Sequence, residues 1–200
     1  MIGRTVAPAV ALVAVALMIA GPVVASPPRT DALPTSAADR FWTDDTSFYR
    51  SPWYAGRHRI MIPFGCTRAP YYPHDSRCPG RQGFHHGIDI AMRCGVKVFS
   101  NVPGRVVRPG APGVLGAAYG SKAFRIRHDG QDLVFGHVRR VLVSPGDRVR
   151  PGDVIARAGK LAAPDGCHLH FEVRPAGGGY TSAVRPRSLL ELRRVGQPAR

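Results

Sequence analysis

Glycine and proline limit this chain before any other residue does. Its 200 residues include 23 Gly and 19 Pro, so spaced that few windows long enough for a helix escape a breaker. Proline fixes φ and removes a donor, while glycine accepts turn conformations that other residues resist. What lies between them is short and β-like: 59–62, 87–91, 96–100, 105–108, 123–128, 132–138, 154–158 and 168–174. Asp129-Gly130 between two of these runs is a strong hairpin signal. Pro145-Gly146-Asp147-Arg148-Val149 is echoed at once by Pro151-Gly152-Asp153-Val154-Ile155, which implies two tight turns in succession. The echo also resembles part of a biotin or lipoyl carrier barrel, but no suitably framed acceptor lysine lies between flanking strands. The expected fold class is mainly β, an antiparallel sheet forming a groove. With 44% apolar residues, the chain can fill one core, and its length excludes a large multidomain enzyme.

The first residues carry an address. Arg4 precedes an uncharged stretch, 5–26, whose unbroken apolar run 10–20 ends at Gly21-Pro22 and is followed by Val23-Val24-Ala25. A basic start, a short apolar run and small residues describe an export signal better than a membrane span, with cleavage expected after Ala25. An uncleaved anchor is the competing reading. The Pro-, Ser-, Thr- and Asp-rich segment that follows has a linker's composition. The expected organisation is a signal at 1–25, a linker at 26–55, a folded domain at 56–190 and a tail at 191–200. Export leads to an oxidising space, where Cys66, Cys78, Cys94 and Cys167 form two disulfides. The favoured pairing is Cys66 with Cys78 and Cys94 with Cys167. A four-cysteine zinc site lacks its CxxC spacing.

The formal charge is +15, and 25 of the 28 cations are arginine. Such a surface attracts polyanions. Exported protein is carried away from nucleic acid, so polyanions outside the cell are the expected partners.

Histidines and one aspartate carry the chemistry. In an extended run, His85, Gly87 and Asp89 share a face, as do His168 and His170 with Leu169 and Phe171 turned to the core. A hydrolytic zinc site needs three N or O ligands and one open position. His85, Asp89 and one histidine of the later pair meet that count. His137, on the face of Leu133 and Phe135 at the end of its run, is the natural further contributor, to move a proton or to stabilise a developing oxyanion. His58, His74 and His128 have no partner at ligand spacing and are expected at the surface, and Glu172, which suits either support behind a ligand or a plain place on the sheet, is left outside the catalytic set. Tyr71, Tyr72 and Tyr119 suit a groove wall or plain packing. The run 110–120 lacks the GxxxxGK[ST] needed for nucleotide phosphates and suits a mobile loop beside the groove. Neither HExxH nor GxSxG is present.

Taken together, Phe84-His85-His86-Gly87-Ile88-Asp89, Phe135-Gly136-His137 and Gly166-Cys167-His168-Leu169-His170-Phe171-Glu172-Val173 resemble the lysostaphin-like zinc metallopeptidases, the LytM or M23 family. The motifs occur in family order from about Arg59 to Arg174. The resemblance implies a lysostaphin-like peptidase fold and one Zn2+ per chain. It implies His85, Asp89 and His170 as ligands, with His137 and His168 as the catalytic pair. It further implies a secreted, wall-associated endopeptidase acting on peptide stems or cross-links of peptidoglycan, with no stable membrane span after cleavage. Two departures bear on substrate preference: Phe135 stands where the family often has Tyr, and the loop 160–165 is not the usual Gly-, Ser- and Thr-rich segment. A non-enzymatic relative that regulates another wall hydrolase, and a β-domain that only binds wall polymer, are the alternatives.

Overall fold

Alternating side chains build one curled antiparallel sheet. In the computed structural model, residues 39–196 are described, so the expected signal, its cut after Ala25 and the start of the expected linker lie outside them. The strands are β1 (Phe48–Ser51), β2 (Tyr54–Ile62), β3 (Gly65–Thr67), β4 (Gly83–His85), β5 (Ile88–Ala91), β6 (Lys97–Phe99) and β7 (Gly104–Val106). They continue as β8 (Phe124–His128), β9 (Gln131–Gly136), β10 (Arg140–Val141), β11 (Arg148–Val149), β12 (Val154–Arg157), β13 (His168–Pro175) and β14 (Arg193–Arg194). Ten run in the order β10-β12-β6-β2-β5-β13-β9-β8-β7-β11, with β1 pairing β2 and β14; β3 and β4 form a separate pair. The mainly β class and the groove-forming sheet are as the sequence implies. No helix among the described residues is long and apolar enough to cross a membrane.

The turn signals act as their chemistry dictates. Asp129 and Gly130 both take positive φ, 44° and 72°, and join β8 to β9 with His128 opposite Gln131. In each Pro-Gly-Asp turn the Asp closes an i to i+3 hydrogen bond, Asp147 N–H to Ser144 O and Asp153 N–H to Arg150 O. Each Asp carboxylate then accepts the N–H of that same first residue at 2.7 Å.

β13 is central, and its pleat decides the site. Leu169, Phe171 and Val173 enter the main core, where Trp53 packs against Phe135 and Phe171 with ring centroids 5.9 and 5.1 Å away. His168, His170, Glu172 and Arg174 alternate with them and are also buried. This strand therefore sets a polar row inside the molecule.

The sheet recruits residues from beyond the expected 56–190 at both ends. Phe48–Ser51, in the expected linker, is strand β1, and it pairs with Arg193 and Arg194 in the expected tail. Trp53 is fully buried and its indole N–H donates to Leu189 O at 2.8 Å. His58, expected at the surface, is buried instead, its Nε2 2.9 Å from Ala55 O. His74 is exposed and His128 half-buried. The disulfides are Cys66–Cys78 and Cys94–Cys167, the favoured pairing.

Candidate metal centre

His85 ends β4, Asp89 lies in β5 and His170 in β13. Asp89 and His170 are direct cross-strand partners, with Gly136 of β9 on the other side of His170. His85 and Asp89 do not share one extended run, contrary to the reading from alternation. The chain bends at His86 and Gly87, and the two side chains converge across the bend. A Cβ at Gly87 would lie 2.5 Å from His170 Cε1 and 2.8 Å from Phe171 O. Only glycine lets the His170 ring lie against that bend.

The donor atoms of His85, Asp89 and His170 lie within 4.8 Å of one another, and all three residues are buried. Asp89 Oδ1 is 2.8 Å from His170 Nδ1 and 3.3 Å from His85 Nε2, and the two ring nitrogens are 3.2 Å apart. Burial opposes the Asp89 charge, but His85, His168 and the His170 hydrogen bond outweigh it and hold the carboxyl well below the usual range. Two imidazoles and one ionised carboxylate form a donor set suited to a divalent transition metal.

Backbone carbonyls set the tautomers, because a carbonyl oxygen can only accept. His85 Nδ1 faces Pro63 O at 3.0 Å, His137 Nδ1 faces Leu161 O at 2.8 Å and His168 Nδ1 faces Gly166 O at 3.2 Å. In the neutral form each keeps Nδ1–H and leaves Nε2 bare. His168 Nε2 is buried without a hydrogen-bond partner, the kind of orphaned atom that points to a ligand.

His137 reaches the site by an unexpected route. Leu133 and Phe135 lie in the core, and a continued strand would send His137 there too. Instead β9 ends at Gly136 and His137 adopts φ 59°, a left-handed conformation uncommon for a side-chain-bearing residue. Its N–H donates to Tyr119 O at 2.7 Å, which holds the strained geometry. The imidazole thereby turns to the groove, 4.5 Å between ring centroids from His168. Burial, then the His168 charge, pulls the His137 pKa down to about 3.

Of the two places open to Glu172, the structure gives it the one behind His170, and it adds Arg174, which sequence reasoning missed. His170 Nε2 lies 3.1 Å from Glu172 Oε2; Glu172 accepts from Arg174 through Oε1, and Tyr119 joins the two, donating to Glu172 at 2.9 Å and accepting from Arg174 at 2.6 Å. Glu172 and Arg174 are both fully buried. A carboxylate on the far nitrogen of a ligating imidazole fixes ring orientation and increases basicity. The signal was present: four polar residues at period two, facing away from three apolar ones, on a strand long enough to be central.

A groove of about 1060 Å³ opens over these residues, walled by Tyr72, Val114, Tyr119, Lys160 and Tyr180. Tyr71 and the loop residues 162–165 also line it.

Residues 83–185, more than half of the chain, match the sequence pattern of Peptidase family M23. The chain belongs to that family. This M23 chain is 37% identical over 91 residues to the lipoprotein NlpD/LppB homolog of Pseudomonas aeruginosa, covering 46% of the chain and 29% of the relative. It is 34% identical over 95 residues to the peptidoglycan DD-endopeptidase ShyB of Vibrio cholerae, covering 47% and 21%. The M23 chain thus spans less than a third of the length of either relative. Among solved structures, LytU is 28% identical, with a TM-score of 0.51 over 67% of this chain and 85% of that one. The catalytic domain of lysostaphin from Staphylococcus simulans shares the fold at 22% identity, with a TM-score of 0.51 over 67% and 92%.

Proposed function

We propose that this chain is an exported zinc metalloendopeptidase that hydrolyses peptide bonds in bacterial peptidoglycan. His85, Asp89 and His170 would hold one Zn2+, and His137 with His168 would serve the reacting groups. The observation that carries this reading is the convergence of three metal donors and two further imidazoles in one groove. Family membership, and similarity to a protein named as a peptidoglycan endopeptidase, support the substrate class. The expected signal at 1–25 and the two disulfides support export to the wall, where the basic surface would concentrate the protein on anionic polymer.

When bound, zinc supplies Lewis acidity towards a carbonyl and acidifies water. The chain's own groups do the rest. His137 stays neutral at ordinary pH because burial disfavours its charged form, so its bare Nε2 is free to accept a hydrogen bond from water and to direct that water's proton towards the leaving amine. His168 presents a second bare Nε2 to the same spot, steadied by Gly166 O, and positions or shares that proton. Both Nδ1 atoms are tied to loop 159–166, so the loop aims both rings. Tyr72 and Tyr119 on the walls give an extended peptide stem apolar faces to lie against.

The test is digestion of purified walls of several types by mature protein, with zinc or with chelator, and identification of the new termini by mass spectrometry. Zinc-dependent cleavage of stem or cross-link peptides is the expected outcome. Zinc-replete protein that cuts no murein but binds a wall hydrolase would instead support the regulator reading.

A further inference from the structure

The register of the sheet lines up arginines that no catalytic role absorbs. Arg148 on β11 is the direct partner of Arg105 on β7, and Arg105 of Arg127 on β8. Cross-strand partners point to the same face, with strands about 4.8 Å apart. Three guanidinium stems therefore stand side by side at one end of the sheet. Like charges directly opposite one another are destabilising. Only one carboxylate continues the row, Asp132 opposite Arg127, and it is already engaged by Arg125 and Arg127 at 2.8 Å each and by the Gly177 N–H at 3.0 Å.

Nothing among the described ion pairs neutralises Arg105 or Arg148, and both are exposed. Arg105 donates to Gly146 O at 2.7 Å, and Arg108 lays its guanidinium over the same glycine, so the first Pro-Gly-Asp turn gathers a fourth cation to the cluster. The Asp147 carboxylate of that turn accepts the Ser144 N–H. Loop 108–116 separates this cluster from the groove: Pro112 O and Ala111 O accept from Arg125 on one side, while Val114 and Gly116 line the groove on the other. None of the four arginines lines the groove.

We infer that Arg105, Arg108, Arg127 and Arg148 form a binding surface for a linear phosphodiester polymer. An exposed guanidinium fork meets a phosphate through two parallel hydrogen bonds, and Arg105, Arg108 and Arg148 each present one, while Arg127, whose fork is held by Asp132, adds charge beside them. A row of such forks suits the successive charges of a flexible phosphate chain. Binding there leaves the groove open, so polymer tethers the protein without competing with peptide. The inference adds a location to the wall-polymer partner proposed above, and it does not depend on catalysis.

A second cationic row, Arg140, Arg157 and Lys97, crosses the other end of the sheet and provides an internal comparison. There Arg157 is half-buried and the third cation is a lysine, which has no fork, so that row presents one exposed guanidinium, Arg140, against three at the first end. Binding of the full-length protein to poly(glycerol phosphate) and to inorganic polyphosphate is measured across a salt series, with polyglutamate of matched charge beside them. Arg105→Gln/Arg148→Gln should weaken phosphate-polymer binding about tenfold at low salt and flatten the salt dependence, whereas Arg140→Gln/Lys97→Gln should change it less than about twofold. A thermal melt checks folding; removing opposed like charges should leave Tm unchanged or higher. Preference for the glycerol polymer over polyphosphate would support the phosphodiester assignment, and the reverse, since polyphosphate is an anhydride chain, would overturn it. Equal losses in the two double variants, or polyglutamate binding as tightly, would overturn the inference. Absence of murein cleavage would bear only on the catalytic reading.

Discussion

His170 joins two carboxylates, one through each ring nitrogen. Burial disfavours its charged form, but hydrogen bonds to Asp89 and Glu172 outweigh burial and hold its pKa up to about 9. A metal ion must displace the proton on Nδ1, so zinc affinity should rise with pH, by about tenfold per unit below pH 9. Chelator competition across that range measures the slope; a pH-independent affinity would contradict the assignment. Glu172→Gln should lower zinc affinity about 10- to 100-fold and alter the spectrum of the cobalt-substituted protein, while Glu172→Asp restores part of the loss. His85→Ala and Asp89→Ala should lose zinc, whereas His137→Ala should keep it and lose turnover. Equal metal loss in all three, read by metal analysis, would remove the distinction between ligand and proton carrier. The convergence of His85, Asp89 and His170 could be anticipated because metal donors are few in type, and the family resemblance chose His170 over His168. Glu172 was left between a place behind the ligands and a plain place on the sheet, and Arg174 escaped, because a buried carboxylate-guanidinium pair looks, in sequence, like an exposed strand face. His137 was legible as a residue but not as a geometry, since a left-handed φ at a histidine has no local sequence signal.

At the scale of elements, the close fit of Gly87 against His170 is the most demanding contact. Gly87→Ala puts a methyl where only 2.5 Å separates it from Cε1, so the ring must move, and zinc content should fall even if the fold survives. Cys94–Cys167 ties the loop after β5 to the residue before β13, closing a separation of 73 residues. In the chain-entropy picture, Cys94→Ala/Cys167→Ala should cost about 4 kcal/mol, measurable by urea unfolding; a change well under 1 kcal/mol would show that the bond is not structural. Most central strands could be read from alternation and from the turns that bound them. β1 and β14 could not: each is short, and β14 pairs only with β1, more than a hundred residues away in sequence. β1 pairs with β2 directly after it, but the Pro-, Ser- and Asp-rich composition before it points to a linker.

The molecule as a whole should weaken in acid. His58, His137 and His168 are buried with pKa values lowered mainly by burial, His137 to about 3. The unfolded chain, with ordinary histidines, binds protons that the native state refuses, so unfolding free energy falls as pH drops below about 6.5. The lowered carboxyls of Asp89, Asp132 and Glu172 add to the loss at lower pH, as protonation removes charges that the folded state favours. The raised pKa of His170 acts in a different window, stabilising metal-free protein below pH 6.5 and losing that effect as pH rises through 9. Urea midpoints should therefore decline between pH 7 and pH 4.5; constant midpoints would mean that these imidazoles are not buried as described. β13, flanked by β5 and β9, carries both histidines of the HxH motif. Its amides should exchange with solvent deuterium only through complete opening of the molecule. Heat should therefore not dissolve the centre piecemeal: imidazole convergence and sheet should vanish in one cooperative step, with no loosened intermediate retaining half a site.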